Sequence, residues 1–196
     1  MTPLEVSSAG HADLLYHPAL GSPVMGEIAG VSITIGTWNS RTLQAAGELQ
    51  ELAYKMDRYR LNILGLCEMR WKNFGEITTE EGNKVFFRGK DDKHEHDIGF
   101  LVHKDIISTV MGCRQVSSRL ITIRPRAVPF IITIVHTYAP TSDYDDNEIE
   151  ESYDQQQNVI DQTMKRDILA VQGDWNTNVG KKCLWKLARH LWTLLQ

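Results

Sequence analysis

Apolar and polar positions alternate along residues 31–39, from Val31 to Asn39, which predicts a strand with one buried face. Leu43, Ala46, Leu49, Leu52, Met56 and Tyr59 then recur three or four apart, the spacing of an amphipathic helix that Gly47 weakens slightly. A second apolar run, 61–67, stops at Glu68. Strand, helix and strand therefore follow one another, and a right-handed crossover would set Asn39 beside Glu68. Shorter strands are expected over 84–88, 98–103, 110–116 and 119–124, with the third and fourth paired through Ser117-Ser118. Pro125 and Pro129 are expected to bracket a loop. A β-branched run, 130–138, closes with Tyr138-Ala139-Pro140. After the acidic stretch 143–151 comes a helix with Ile149, Tyr153 and Ile160 on one face. Gln156 occupies an apolar position of that face, so weak docking is expected. The last run, 167–174, reads as a strand buried on both faces and ends in Gly173-Asp174-Trp175-Asn176.

The two ends of the chain read differently. Residues 1–30 mix Ser, Pro, Gly, Ala and His without period and suggest a poorly ordered leader. Residues 181–196 form a basic amphipathic helical tail, with Leu184, Leu187, Leu191 and Leu195 in one stripe widened by Trp185 and Trp192. Such a helix can lie on a membrane; packing on its own domain or on a protein partner is the preferred reading. Residues 31–180 are left as one domain. At 196 residues, with 42% hydrophobic and 23% charged residues, the chain suits a globular domain with a real core. The net charge of −4 excludes a global basic field for nucleic acid, though not a local basic rim. Cys67, Cys113 and Cys183 match neither a zinc pattern nor a disulfide framework. An intracellular setting, nuclear or cytoplasmic, is expected, with no membrane span.

Polar residues stand at the ends of four predicted strands: Asn39, Glu68, Tyr138 and the pair Asp174/Asn176. Each alone has a plain structural explanation, as a helix cap, a surface acid, a core tyrosine or a turn. Together they suit one site at a shared sheet end. Glu68 offers the hard oxygen that Mg²⁺ takes from one or two carboxylates while keeping its waters. Asp174 could align an attacking water, Asn39 and Asn176 could hold that water or a phosphate oxygen, and Tyr138 could donate to the phosphate as charge builds. This is a layout for metal-assisted phosphoryl transfer.

Ile35-Gly36-Thr37-Trp38-Asn39, Ile63-Leu64-Gly65-Leu66-Cys67-Glu68, Thr137-Tyr138-Ala139-Pro140 and Gly173-Asp174-Trp175-Asn176 resemble, in order, the motifs of the endonuclease/exonuclease/phosphatase superfamily. Three longer stretches narrow the likeness. These are Thr37-Trp38-Asn39-Ser40-Arg41-Thr42-Leu43, Gly65-Leu66-Cys67-Glu68-Met69-Arg70-Trp71, and Lys93-His94-Glu95-His96 with Gly99-Phe100. They resemble the apurinic-type endonuclease domain of RTE or BovB-like non-LTR retrotransposons. The resemblance implies a four-layer α/β/β/α sandwich and Mg²⁺-dependent, or Mn²⁺-dependent, hydrolysis of DNA phosphodiester bonds. It implies that Glu68 and Asn39 bind or support the metal, that Tyr138 contacts the phosphate, and that Asp174 with Asn176 orient the nucleophile. The family pattern continues to further strands and a closing Asp-His pair, whereas no Asp or Glu follows Asp174 here. His190 lies in the helical tail pattern. His136 stands two residues before Tyr138 and could point the same way. The expected consequence is a fold short of its last strands and impaired activity. The alternative is a relict that binds metal, DNA or a partner without cleaving; a phosphoesterase acting on small or lipid substrates is a third reading.

Overall fold

The computed structural model describes residues 33–45, 47–89, 97–141 and 144–176. The leader over 1–30, the tail over 181–196 with its His190, and the 93–96 motif lie outside the described residues.

Among the described residues nine strands form two mixed sheets. The first holds β1 (Ile35–Asn39), β2 (Ile63–Cys67), β3 (Phe74–Thr78), β4 (Lys84–Arg88) and β5 (Ile98–Val102), in the order β1-β2-β5-β4-β3. The second holds β6 (Val110–Ser117), β7 (Leu120–Ala127), β8 (Phe130–Tyr138) and β9 (Ile168–Asp174), in sequence order. Each sheet contains one parallel pair, β1 with β2 and β8 with β9, and each pair is bridged by a helix. These helices are α1 (Glu48–Arg58) and α2 (Asp146–Asp161). Parallel neighbours need such a crossover, and it brings the C-terminal ends of both strands to the same side.

The layers follow from strand periodicity. Ile63, Cys67, Phe86, Ile98 and Phe100 of the first sheet meet Ile121, Ile123, Ile134 and Tyr138 of the second. Alternate residues turn outward: Leu64, Leu66, Val85 and Leu101 pack under Leu52, Ala53 and Met56 of α1. Leu120 and Val135 pack under Val159 of α2. Helix, sheet, sheet and helix thus stack as the α/β/β/α sandwich expected from the sequence. Strand β2, covered on both faces, is buried along its whole length.

Several local expectations are corrected. Helix α1 begins at Glu48, not near Leu43, because Gly47 adopts φ 90° at its N-cap, a conformation open to glycine. Leu43 is still buried, from the loop before the helix. Pro125 lies inside β7 rather than in a loop, and the turn falls at the cis Val128–Pro129 bond. Strand β3 carries no sequence signal because its residues are mostly exposed, so no period is imposed on it. Gln156 is buried at 4% exposure, and its Nε2 finds no hydrogen-bond acceptor among the described residues. None of the described helices is long and apolar enough to cross a membrane.

Candidate functional site

Parallel pairing sets Asn39 opposite Cys67, one residue before Glu68, and sets Tyr138 opposite Asp174. The contacts of β9 with β1 and β2 close the two sheets over one another at this end. All five residues singled out in the sequence meet there. The Asn39 carboxamide donates from Nδ2 to Glu68 Oε1 at 2.7 Å and to Asp174 Oδ2 at 2.9 Å. The Tyr138 hydroxyl donates to the same Glu68 oxygen at 3.1 Å. The Asn176 backbone N–H donates to Asp174 Oδ1 at 3.1 Å, and its side chain donates to the Ala139 carbonyl at 2.5 Å. Asn39 Oδ1 is taken by the Arg41 N–H at 3.0 Å.

The surrounding backbone is shaped for this. Glu68, at φ 58°, and Asn176, at φ 45°, sit in the left-handed region, as do Arg41 and Arg70 just beyond the ends of β1 and β2. A glutamate there is uncommon, and such departures gather where function fixes a geometry. The Glu68 turn is held from outside the site. Its N–H donates to the Asp97 carbonyl at 3.1 Å, and the buried Asp97 carboxylate accepts from the Trp71 N–H. Ser40 ties β1 to β2 through its N–H and hydroxyl, both on the Cys67 carbonyl at 2.9 and 2.8 Å.

Burial, with the negative charge of Glu68, raises the Tyr138 pKa, so the hydroxyl stays protonated and remains a donor. Burial, with Asp174 nearby, likewise raises the Cys67 pKa well above the usual thiol range, and Cys67 is the inert core residue its apolar run suggested. His136 shares the inward face with Tyr138 but lies one layer deeper and fully buried. Its Nε2 is 3.2 Å from the Leu66 carbonyl and 3.4 Å from Cys67 Sγ. Burial lowers its pKa to about 4.

Among the described residues no three His, Cys, Asp or Glu side chains gather as a metal cluster. The donor set still fits a hard cation. Glu68 Oε1 accepts from Asn39 and Tyr138, which fix the orientation of a hard carboxylate donor. One or two carboxylates are what Mg²⁺ requires.

Residues that the strand pattern did not mark complete the rim. Arg41 and Arg70 are exposed beside the strand ends. The Arg119 guanidinium lies 5.5 Å from the Tyr138 ring and 4.7 Å from the Tyr144 ring, and donates to the Tyr138 carbonyl at 3.3 Å. It borders a cleft of about 400 Å³ with Ser117, Pro140 and Tyr144. Arg41 and Arg70 fall within the longer stretches that carry the resemblance and Arg119 opens an expected strand, but only their charge pointed to a rim.

No family model matches the chain. It is similar to craniofacial development protein 2 of Bos taurus, with 30% identity over 148 residues, 76% of this chain and 25% of that protein. The Tragulus javanicus protein of the same name matches to the same extent. The chain thus spans about a quarter of the length of these curated relatives. Among solved structures it resembles D. rerio TDP2 complexed with a single-strand DNA product, with TM-score 0.56 and 11% identity, covering 80% of this chain and 64% of that one. A humanized D. rerio TDP2 gives TM-score 0.54 and 13% identity, over 79% and 70% of the two chains. The endonuclease domain of TRAS1, a telomere-specific non-LTR retrotransposon, gives TM-score 0.52 and 15% identity over 82% and 71%. The chain shares the fold of these solved structures.

Proposed function

We propose that residues 31–180 form a divalent-metal-dependent phosphodiesterase domain that cuts the DNA backbone, an endonuclease of non-LTR retrotransposon type. The observation that carries this reading is the single Asn39 nitrogen bonded to both Glu68 and Asp174. It sets a metal-type carboxylate and a nucleophile-type carboxylate side by side. Glu68 would hold Mg²⁺ or Mn²⁺, and Asn39 supports it by fixing the carboxylate. The cation, when bound, supplies Lewis-acid stabilisation of the phosphate charge. Asp174 orients the attacking water, and Asn176 fixes Asp174 through the backbone bond. The Tyr138 hydroxyl, which donates to Glu68 here, would turn its single proton to a non-bridging phosphate oxygen once a cation takes Glu68. Arg41, Arg70 and Arg119 furnish the local positive rim that a chain of net charge −4 needs to hold a polyanion.

A second reading, a protein that binds metal or DNA without cutting, is favoured by one observation. Among the described residues no histidine stands in the site, and His136 is sealed beneath it. A positioned general base is worth about 10²–10⁴-fold in rate. Nicking of supercoiled plasmid with Mg²⁺, lost in Glu68→Ala and Asp174→Ala, is the expected result. Binding without nicking would establish the second reading, and turnover of inositol or lipid phosphates without nicking would overturn both.

A further inference from the structure

The inward-facing side chains of β1, β2, β8 and β9 form rows set by the strand registers. The site row contains Asn39, Cys67, Tyr138 and Asp174. Two residues back along each strand, the next row is Thr37, Gly65, His136 and Gln172. The row after that, Ile35, Ile63, Ile134 and Ala170, is wholly apolar. The middle row is polar where a sandwich core calls for hydrocarbon. Thr37 Oγ1, His136 Nδ1 and Gln172 Nε2 are all buried there with no well-formed hydrogen bond to a described residue, although the Gln172 backbone also acts on the His136 ring. Native interiors satisfy nearly all such groups, often with buried water.

Two of these atoms lean over the same point. A Cβ on Gly65 would lie 2.6 Å from both Gln172 Nε2 and His136 Nδ1. Glycine is what lets the two side chains come down onto β2. The row is also reachable. Strand β1 is the outermost of its sheet, and β9 is outermost among the described strands of the other. Thr37 and Gln172 keep 4% and 6% exposure at that edge, whereas His136 keeps none.

We propose that this row is a built-in solvent site, in which one or two ordered waters bond Thr37 Oγ1, His136 Nδ1 and Gln172 Nε2 one layer beneath the strand ends. Water donating to Nδ1 leaves the imidazole proton on Nε2. That N–H faces the Leu66 carbonyl at 3.2 Å and Cys67 Sγ at 3.4 Å. Leu66 and Cys67 lead directly into the left-handed turn that aims Glu68. His136 is thereby a positioning residue for Glu68. The solvent site stands whether or not the chain cuts DNA, while the value of the positioning rests on the phosphodiesterase reading.

A crystal structure of the full chain, fine enough to show ordered water, is expected to place a solvent peak about 2.6–3.2 Å from at least two of the three atoms. Direct contact of Gln172 Nε2 with His136 Nδ1, with no peak between, overturns the proposal. Thr37→Val keeps the shape and removes one water ligand, so Tm is expected to fall by about 2–4 °C. In a dry row the same change deletes an unpaired hydroxyl, and a raised Tm refutes the solvent site. Nitrogen NMR of the His136 ring at neutral pH is expected to report the proton on Nε2. A proton on Nδ1 would rule out the positioning role.

Discussion

Asn39 and Asp174 are 135 positions apart in the chain, and the carboxamide of the first donates to the carboxylate of the second at 2.9 Å. The same nitrogen also reaches Glu68 at 2.7 Å, so a neutral donor bridges the two carboxylates. Asn39→Ala is expected to cost about 1 kcal/mol of stability, as two half-buried acceptors lose their shared donor. Asn39→Asp brings a third carboxylate to the same place. Its Tm is expected to fall further, and to rise more steeply on adding Mg²⁺ than that of the unchanged chain. Thermal denaturation with and without Mg²⁺ measures both effects, and equal Mg²⁺ responses would refute the link between Asn39 and a cation.

Tyr138 meets Glu68 only through its hydroxyl, since the ring is packed in the core between the sheets. Tyr138→Phe should therefore fold with a nearly unchanged Tm. By analogy with other preorganised donors to a reacting oxyanion, the loss in kcat is expected to reach about 10²-fold. KM should change little, because the bond matters most as phosphate charge develops. Steady-state cleavage of a labelled oligonucleotide separates the two terms.

His136 makes stability depend on pH in a defined window. Its folded pKa is about 4, against the ordinary 6.5, so the unfolded chain binds the proton more readily. The contribution to stability is full above pH 6.5 and is lost as pH falls toward 4. A shift of that size corresponds to roughly 3 kcal/mol. Chemical denaturation from pH 7 to 4 is expected to show this loss, and His136→Gln should flatten that part of the curve while lowering stability at pH 7.

Gln156 faces the second sheet from α2, beside the buried Val159 and Ile160, with its Nε2 unpartnered among the described residues. Gln156→Leu removes the orphan and adds apolar contact, so a gain of about 1–2 kcal/mol is expected. Urea denaturation checks it; a loss of stability would mean that the amide is satisfied by a group outside the described residues.

The parts of the fold that were readable from the sequence are those where one physical demand dominates. Strand β2 is an unbroken apolar run because both of its faces are covered, and the five candidate residues stand at or just past the ends of β1, β2, β8 and β9. Strand β9 itself departs from the doubly buried strand expected, since Ile168 is exposed and only Gln172 and Gly173 are buried. Parallel crossovers then bring those ends together with no further instruction. What escaped notice follows the opposite logic. Strand β3 buries almost nothing, so no alternation marks it. The start of α1 turns on a single left-handed glycine. Pro125 is tolerated within β7, where a proline normally argues for a loop. The polar row beneath the site was hidden because Thr37, His136 and Gln172 each look unremarkable alone. Only the strand registers show that they share a level. Hydrogen bonds such as that from Asn39 to Asp174 depend on how two sheets stack, and a one-dimensional pattern does not carry that.

The central claim is that Glu68, held by Asn39 and Tyr138, is the cation-binding carboxylate of a hydrolytic site shared with Asp174. Anomalous diffraction from crystals of the chain soaked in Mn²⁺ tests it most directly. The account predicts one strong peak about 2.0–2.3 Å from a Glu68 carboxylate oxygen, lost in Glu68→Gln. No peak at Glu68, or a peak there that survives Glu68→Gln, would contradict it.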